Sequence, residues 1–109
     1  PSTTLFRSKL RDSATDLLFS AILALRDTGE CYAFFEDICT IAEIKSLAQR
    51  LHVAIMLRQG RTYIEICEST GISTATISRV NRALAYGADG YKTVLDRLAA
   101  AGRLPDINP

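Results

Sequence analysis

At 109 residues the chain is long enough for one domain with a modest core. With 48% apolar and 23% charged residues it is neither a disordered tail nor a membrane protein, and no apolar run reaches the ~18 residues that a spanning helix requires. The net charge is only +1, but Ile44 to Ala88 holds six basic residues (Lys45, Arg50, Arg58, Arg61, Arg79, Arg82) and two acidic ones (Glu65, Glu68), a local +4, while the remainder holds seven basic and ten acidic, or −3.

In chain order, residues 1–8 are expected to form a loose arm, and the polar start PSTTLFRSKLRDS resembles no signal peptide. Leu10, Ala14, Leu17, Leu18, Ala21, Ile22 and Leu25 recur at helical spacing. They predict a helix from Arg11 to Arg26, ended by Asp27, Thr28 and Gly29. Phe19, Leu23 and Ala24 lie off its main face, so the apolar surface is wider than one stripe. A small domain does not cover both sides of such a helix alone, which predicts a homodimer. Glu30 to Ile38 is a second, short helix with Tyr32, Phe34 and Phe35 as core aromatics. Thr40 opens a third helix, and Glu43 three residues on suggests a capping box. Ile44, Leu47, Ala48, Leu51 and Ile55 form its stripe, and the unbroken apolar run Val53 to Leu57 makes it the central strut. Arg58, Gln59 and Gly60 close it, with Gly60 suited to the C′ position.

Residues 62–86, TYIEICESTGISTATISRVNRALAY, organise the chain. Thr62 with Glu65 makes a capping box for a helix from Tyr63 to Ser69. Thr70, Gly71 and Ile72 make a tight turn, in which Gly accepts a positive φ at no steric cost. Ser73 caps a second helix running to Tyr86. Ile66 and Cys67 face inward, Ile72 plugs the turn, and Ile77, Val80 and Leu84 line one side of the second helix. The other side carries Thr74, Ala75, Ser78, Arg79, Asn81 and Arg82, with Thr76 beside them, and no carboxylate occurs between Ser69 and Ala88. Such a helix-turn-helix ridge can enter a major groove without repelling phosphate. Thr74, Ala75, Thr76 and Ser78 are placed for base edges or thymine methyls, Arg79 and Arg82 reach guanine or phosphate, Arg61 and Thr62 with the N-terminal amides of the first motif helix hold the backbone, and Ser73 at the head of the second helix belongs to the same DNA-binding set. The competing reading is a helical protein-interaction module that does not touch DNA.

Beyond the motif, Gly87 to Gly90 is a turn, and Tyr91 to Ala101 is a last amphipathic helix with Val94, Leu95 and Leu98 inward. Gly102 stops it, and residues 102–109 are expected to be flexible. The whole predicts a single all-α domain over 9–101, of about six helices, with no repeat and no linker. Cys31, Cys39 and Cys67 are odd in number and lack CxxC spacing, which disfavours a disulfide framework or a zinc site and favours the cytoplasm. One histidine, His52, and no glycine-rich phosphate loop give no basis for an enzyme or a metal centre.

CTIAEIKSLAQRL, MLRQG and STGISTATISRV resemble the Trp repressor family, and with ECYAFFEDICT the chain looks most like its YerC/YecD-type branch. The resemblance covers about residues 10–98. It implies an intertwined homodimer of helical subunits and a cytoplasmic regulator, a repressor, that binds double-stranded operator DNA. In the repressor, tryptophan lies between two arginines and a threonine, and the matching positions here are Arg50, Arg79 and Thr40. The glycine after the second arginine is replaced by Val80, the next polar contact position by Ala83, and the loop into the motif is one residue shorter. These departures disfavour tryptophan as co-repressor. No cofactor is implied, and another small effector stays open.

Overall fold

The computed structural model describes residues 11–105. The expected arm at 1–8, Leu10 and the last four residues of the expected tail lie outside them. The described residues form six helices and no strand: α1 Ser13–Leu23, α2 Thr28–Ile38, α3 Ile41–Arg58, α4 Tyr63–Thr70, α5 Thr74–Tyr86 and α6 Gly90–Ala100. The all-α expectation holds. The chain divides into two compact units, one ending at Ile41 and the other beginning at Ala42.

In the first unit α1 starts at Ser13, because the extended Asp12 accepts the Thr15 amide on its side chain at 2.7 Å. That bond, and a second from the Thr15 side chain, hold the Asp12 carboxyl below its ordinary value. The helix stops at Leu23 rather than Arg26. Asp27 does not end it as expected. It opens α2, its side chain accepting the Glu30 amide at 2.8 Å, so Thr28 and Gly29 are helical. Glu30 reaches back to accept the Arg26 amide at 2.9 Å, which braces the short connection. An Asp between two helical segments serves equally as a stop or as a cap, so periodicity alone misplaced this boundary. Phe34 and Phe35 are half-buried and meet edge to face at 5.6 Å between centroids. Tyr32, expected in the core, is 67% exposed. Neither α1 nor α2 contains a fully buried residue.

The second unit holds the core: Val53, Ala54, Ile55 and Met56 of α3, Ile66 of α4, Ile72 of the turn, Ile77 and Val80 of α5, and Leu95 of α6. Four consecutive buried residues mean that α3 is enclosed on every side near its end, as its apolar run predicted. The helix closes in a Schellman arrangement: Gly60 sits at φ 84°, its amide donates to Leu57 O at 3.0 Å, and the Arg61 amide donates to Met56 O at 3.2 Å. This reverses the chain sharply and starts α4 against the strut.

Two expectations about the last helix change. Val94 is exposed, while Leu95 and Leu98 turn inward together with Tyr91, because one helical step from Leu95 rotates a side chain by ~100° away from the core. Residues 102–104 are not free: the Arg103 amide donates to Leu98 O at 2.8 Å, and the half-buried Leu104 packs on the core.

Gly87 is required for space. Its amide donates to Ala83 O at 2.9 Å, and a Cβ there would lie 2.4 Å from that same carbonyl oxygen. The Gly87→Ala variant must open the end of α5. We expect a fall in melting temperature of roughly 5–15 °C, measured by circular dichroism at fixed protein concentration. An unchanged melting temperature would show that the turn relaxes freely.

Candidate nucleic-acid interface

The motif is built as its residues dictate. The Thr62 amide donates to Glu65 Oε1 at 3.0 Å and the Glu65 amide to Thr62 Oγ1 at 3.2 Å, closing the predicted capping box. These bonds, with Arg61's charge adding to them, hold the Glu65 carboxyl below its usual range. Glu65 therefore stays ionised at the start of α4, where the helix dipole favours it. α4 runs one residue further than expected, to Thr70.

Gly71 adopts the left-handed conformation at φ 74°, and its amide donates to Cys67 O at 2.9 Å. Thr70 locks the turn from the other side. Its hydroxyl donates to Ile66 O at 2.6 Å and accepts the Ile72 amide at 3.1 Å. That places Ile72 in the core and Ser73 at the head of α5. Sequence reading assigned Thr70 only to the turn; its double hydrogen bond was not legible without the backbone.

α5 has two faces. Ile77 and Val80 are buried at 0% and 1% exposure, and Leu84 is half-buried against the same core. Thr74, Ala75, Ser78, Arg79, Asn81 and Arg82 are all exposed. Thr76 differs: it is half-buried. Ser73 Oγ accepts the Thr76 amide at 3.3 Å and donates to Thr76 Oγ1 at 3.2 Å, so the two hydroxyls are occupied with each other at the cap. The outward ridge is thus narrower than the expected residue set, and it carries no carboxylate.

The basic residues of this half are not equivalent. Arg58, at the end of α3, pairs with Asp96 of α6, which Lys92 also contacts at 3.0 Å. The Arg58 guanidinium first, then the Lys92 ammonium, hold the Asp96 carboxyl below its ordinary value. Arg58 therefore ties α3 to α6 and drops out of the basic surface, while Arg79 and Arg82 stay outward.

Of the residues matched to a ligand site, Thr40 is exposed in the first unit, and in the second Arg50 is half-buried and Arg79 exposed. A cleft of about 420 Å³ that sequence reading missed lies between α3 and the end of α4, lined by Ala48, Gln49, His52, Ser69, Thr70 and Ile72. The Ser69 hydroxyl donates to Ile66 O at 3.4 Å and Thr70 is spent on the turn, leaving Gln49 and His52 as its open polar groups. Among the described residues no helix is long and apolar enough to cross a membrane.

Comparison with known proteins agrees with this geometry. The profile of the Trp repressor protein family matches residues 13–99. The chain is 61% identical over 90 residues to YerC of Bacillus subtilis (strain 168), described there as uncharacterized, covering 83% of this chain and 86% of that protein. The solved structure of a TrpR-like protein from Eubacterium eligens ATCC 27750 is 62% identical, with a TM-score of 0.80 over 84% of this chain and 94% of that one. A candidate Trp repressor from Staphylococcus aureus is 56% identical, again with a TM-score of 0.80, over 84% and 91% of the two chains. With four-fifths of its length inside the family profile and relatives this similar, the chain belongs to the Trp repressor family.

Proposed function

We propose that two copies of this chain form a homodimer that places the α5 helices in successive major grooves of double-stranded DNA, ~34 Å apart, and so regulates transcription as a sequence-specific repressor. The observation that carries this reading is the α5 ridge. Six exposed residues without a carboxylate stand on a helix whose other face is locked into the core. Arg61 and Thr62, at the head of α4, sit where a phosphate backbone would be gripped. The dimer is supported by the uncovered apolar residues of α1, where Leu17, Phe19 and Leu23 are 71%, 53% and 85% exposed. A cytoplasmic setting is supported by Cys31, Cys39 and Cys67, all free thiols.

Sedimentation velocity should give twice the chain mass, and a monomer at micromolar concentration would contradict the paired arrangement. Arg82→Ala separates grip from readout. It is expected to weaken binding evenly across duplex sequences and to reduce the salt slope by about 1 for each copy. Relaxed preference at a single base would instead make Arg82 a reader.

Tryptophan is not proposed as co-repressor. Val80, which stands where the repressor has glycine, follows Arg79 with a branched side chain that is itself packed in the core. Millimolar tryptophan is expected to leave the DNA affinity unchanged, and a tenfold gain would contradict this.

A further inference from the structure

We propose that the α5 ridge recognises its half-site through thymine methyl groups, with the methyls of Thr74 and Ala75 packed against them and Arg82 holding a phosphate at the groove rim. This rests on the DNA-binding reading above and specifies what that surface reads. Ser73 and Thr76 are withdrawn by their mutual hydrogen bond at the cap. What remains exposed in the first two turns of α5 is Thr74, Ala75, Ser78 and Arg79, with the three short side chains ahead of the arginine. Two of the three short ones offer a methyl group, and Ala75 offers nothing else. In the major groove only thymine presents an apolar group, its C5-methyl, so a methyl on the protein discriminates for that base alone.

Helix geometry assigns the arginine. A motif of this kind docks with the N-terminal residues of its second helix nearest the bases. At ~1.5 Å per residue, nine steps from Ser73 to Arg82 span ~13.5 Å, slightly more than the ~12 Å width of the groove. Thr74 and Ala75 therefore lie at the inserted tip and Ser78 one turn behind them. Arg82 reaches the rim, where the phosphates run. The short side chains at the tip allow the backbone of α5 to come close to the base edges, which long ones would prevent.

The test begins with selection from randomised duplexes. Each thymine in the selected half-site is then replaced by deoxyuridine, which removes only the methyl. Affinity is read by fluorescence polarisation for the wild-type protein, Thr74→Ser and Ala75→Gly. The wild type is expected to lose about fourfold for each contacted methyl removed, at one or two positions of each half-site. Thr74→Ser keeps the hydroxyl and lacks only the methyl, so it should be insensitive to uracil at its own position, as should Ala75→Gly at the other. Wild-type protein that selects and binds duplex but is indifferent to every uracil overturns this inference and leaves the DNA-binding reading standing. Failure to bind any duplex overturns both.

Discussion

Ser78→Glu should abolish DNA binding while leaving the fold intact. Ser78 is exposed in the middle of α5, one turn behind the inserted tip, and makes none of the cap contacts that position the helix. Glutamate is a good helix former, so stability should change by no more than about 0.5 kcal/mol. The ridge carries no carboxylate between Ser69 and Ala88, and the variant introduces one in each subunit of the proposed dimer, facing the groove that α5 is proposed to enter. A like charge forced against a desolvated partner costs several kcal/mol, so the affinity should fall on the order of a hundredfold or more. The check is a polarisation titration beside a thermal melt. An intact melt with wild-type affinity would show that α5 does not enter the groove.

The second large effect concerns the core. Ile77 is 0% exposed and belongs to the same apolar cluster as Val53, Met56, Ile66, Ile72, Val80 and Leu95. Ile77→Ala removes buried atoms from the point where the motif meets the strut. The expected loss is ~2–5 kcal/mol, a large fraction of the ~5–15 kcal/mol that holds a domain of this size. Denaturant unfolding at a fixed protein concentration measures it, since a dimer's midpoint depends on concentration. DNA binding should fail at the temperature where α5 detaches and remain near wild type well below it. A loss under about 1 kcal/mol would mean that Ile77 is not part of the support for the ridge.

These two variants divide the helix as its sequence did. The pattern Ile77, Val80 and Leu84 against Ser78, Arg79 and Arg82 was readable because a helical period sorts buried from exposed positions directly. The Thr62 and Glu65 capping box, the left-handed Gly71 and the Ser73 cap were readable because each solves a local problem of unpaired amides or forbidden φ with few residue types. Other features depend on through-space contacts. The pairing of Arg58 with Asp96 joins residues 38 positions apart and removes a cation that simple counting had placed on the DNA side. The engagement of the Thr76 hydroxyl by Ser73 depends on the rotamers of both side chains at the cap. Asp27 was ambiguous because a stop and a cap share one chemistry, and only the chain on both sides decides which it serves. Val94 was misjudged because α6, unlike the end of α3, meets the core on one side only, and Leu95, one ~100° step along, takes that side.

The exposed apolar residues of α1 and α2 are the basis of the homodimer proposal. Leu23 and Leu17 are too exposed to be serving a core of their own. Leu23 and Phe19 were expected off the main face, whereas Leu17 was expected on it and is exposed all the same.

Regulation by this chain as proposed requires that the α5 ridge meet DNA. The most direct measurement is a polarisation titration of the wild-type protein against mixed-sequence duplexes across a series of salt concentrations. With Arg61, Arg79 and Arg82 of each subunit on phosphates, the log–log salt slope should be about −5, a loss on the order of a thousandfold between 50 and 200 mM salt. Binding that is absent at micromolar protein, or present but indifferent to salt, would contradict it and would favour a helical module that engages protein instead.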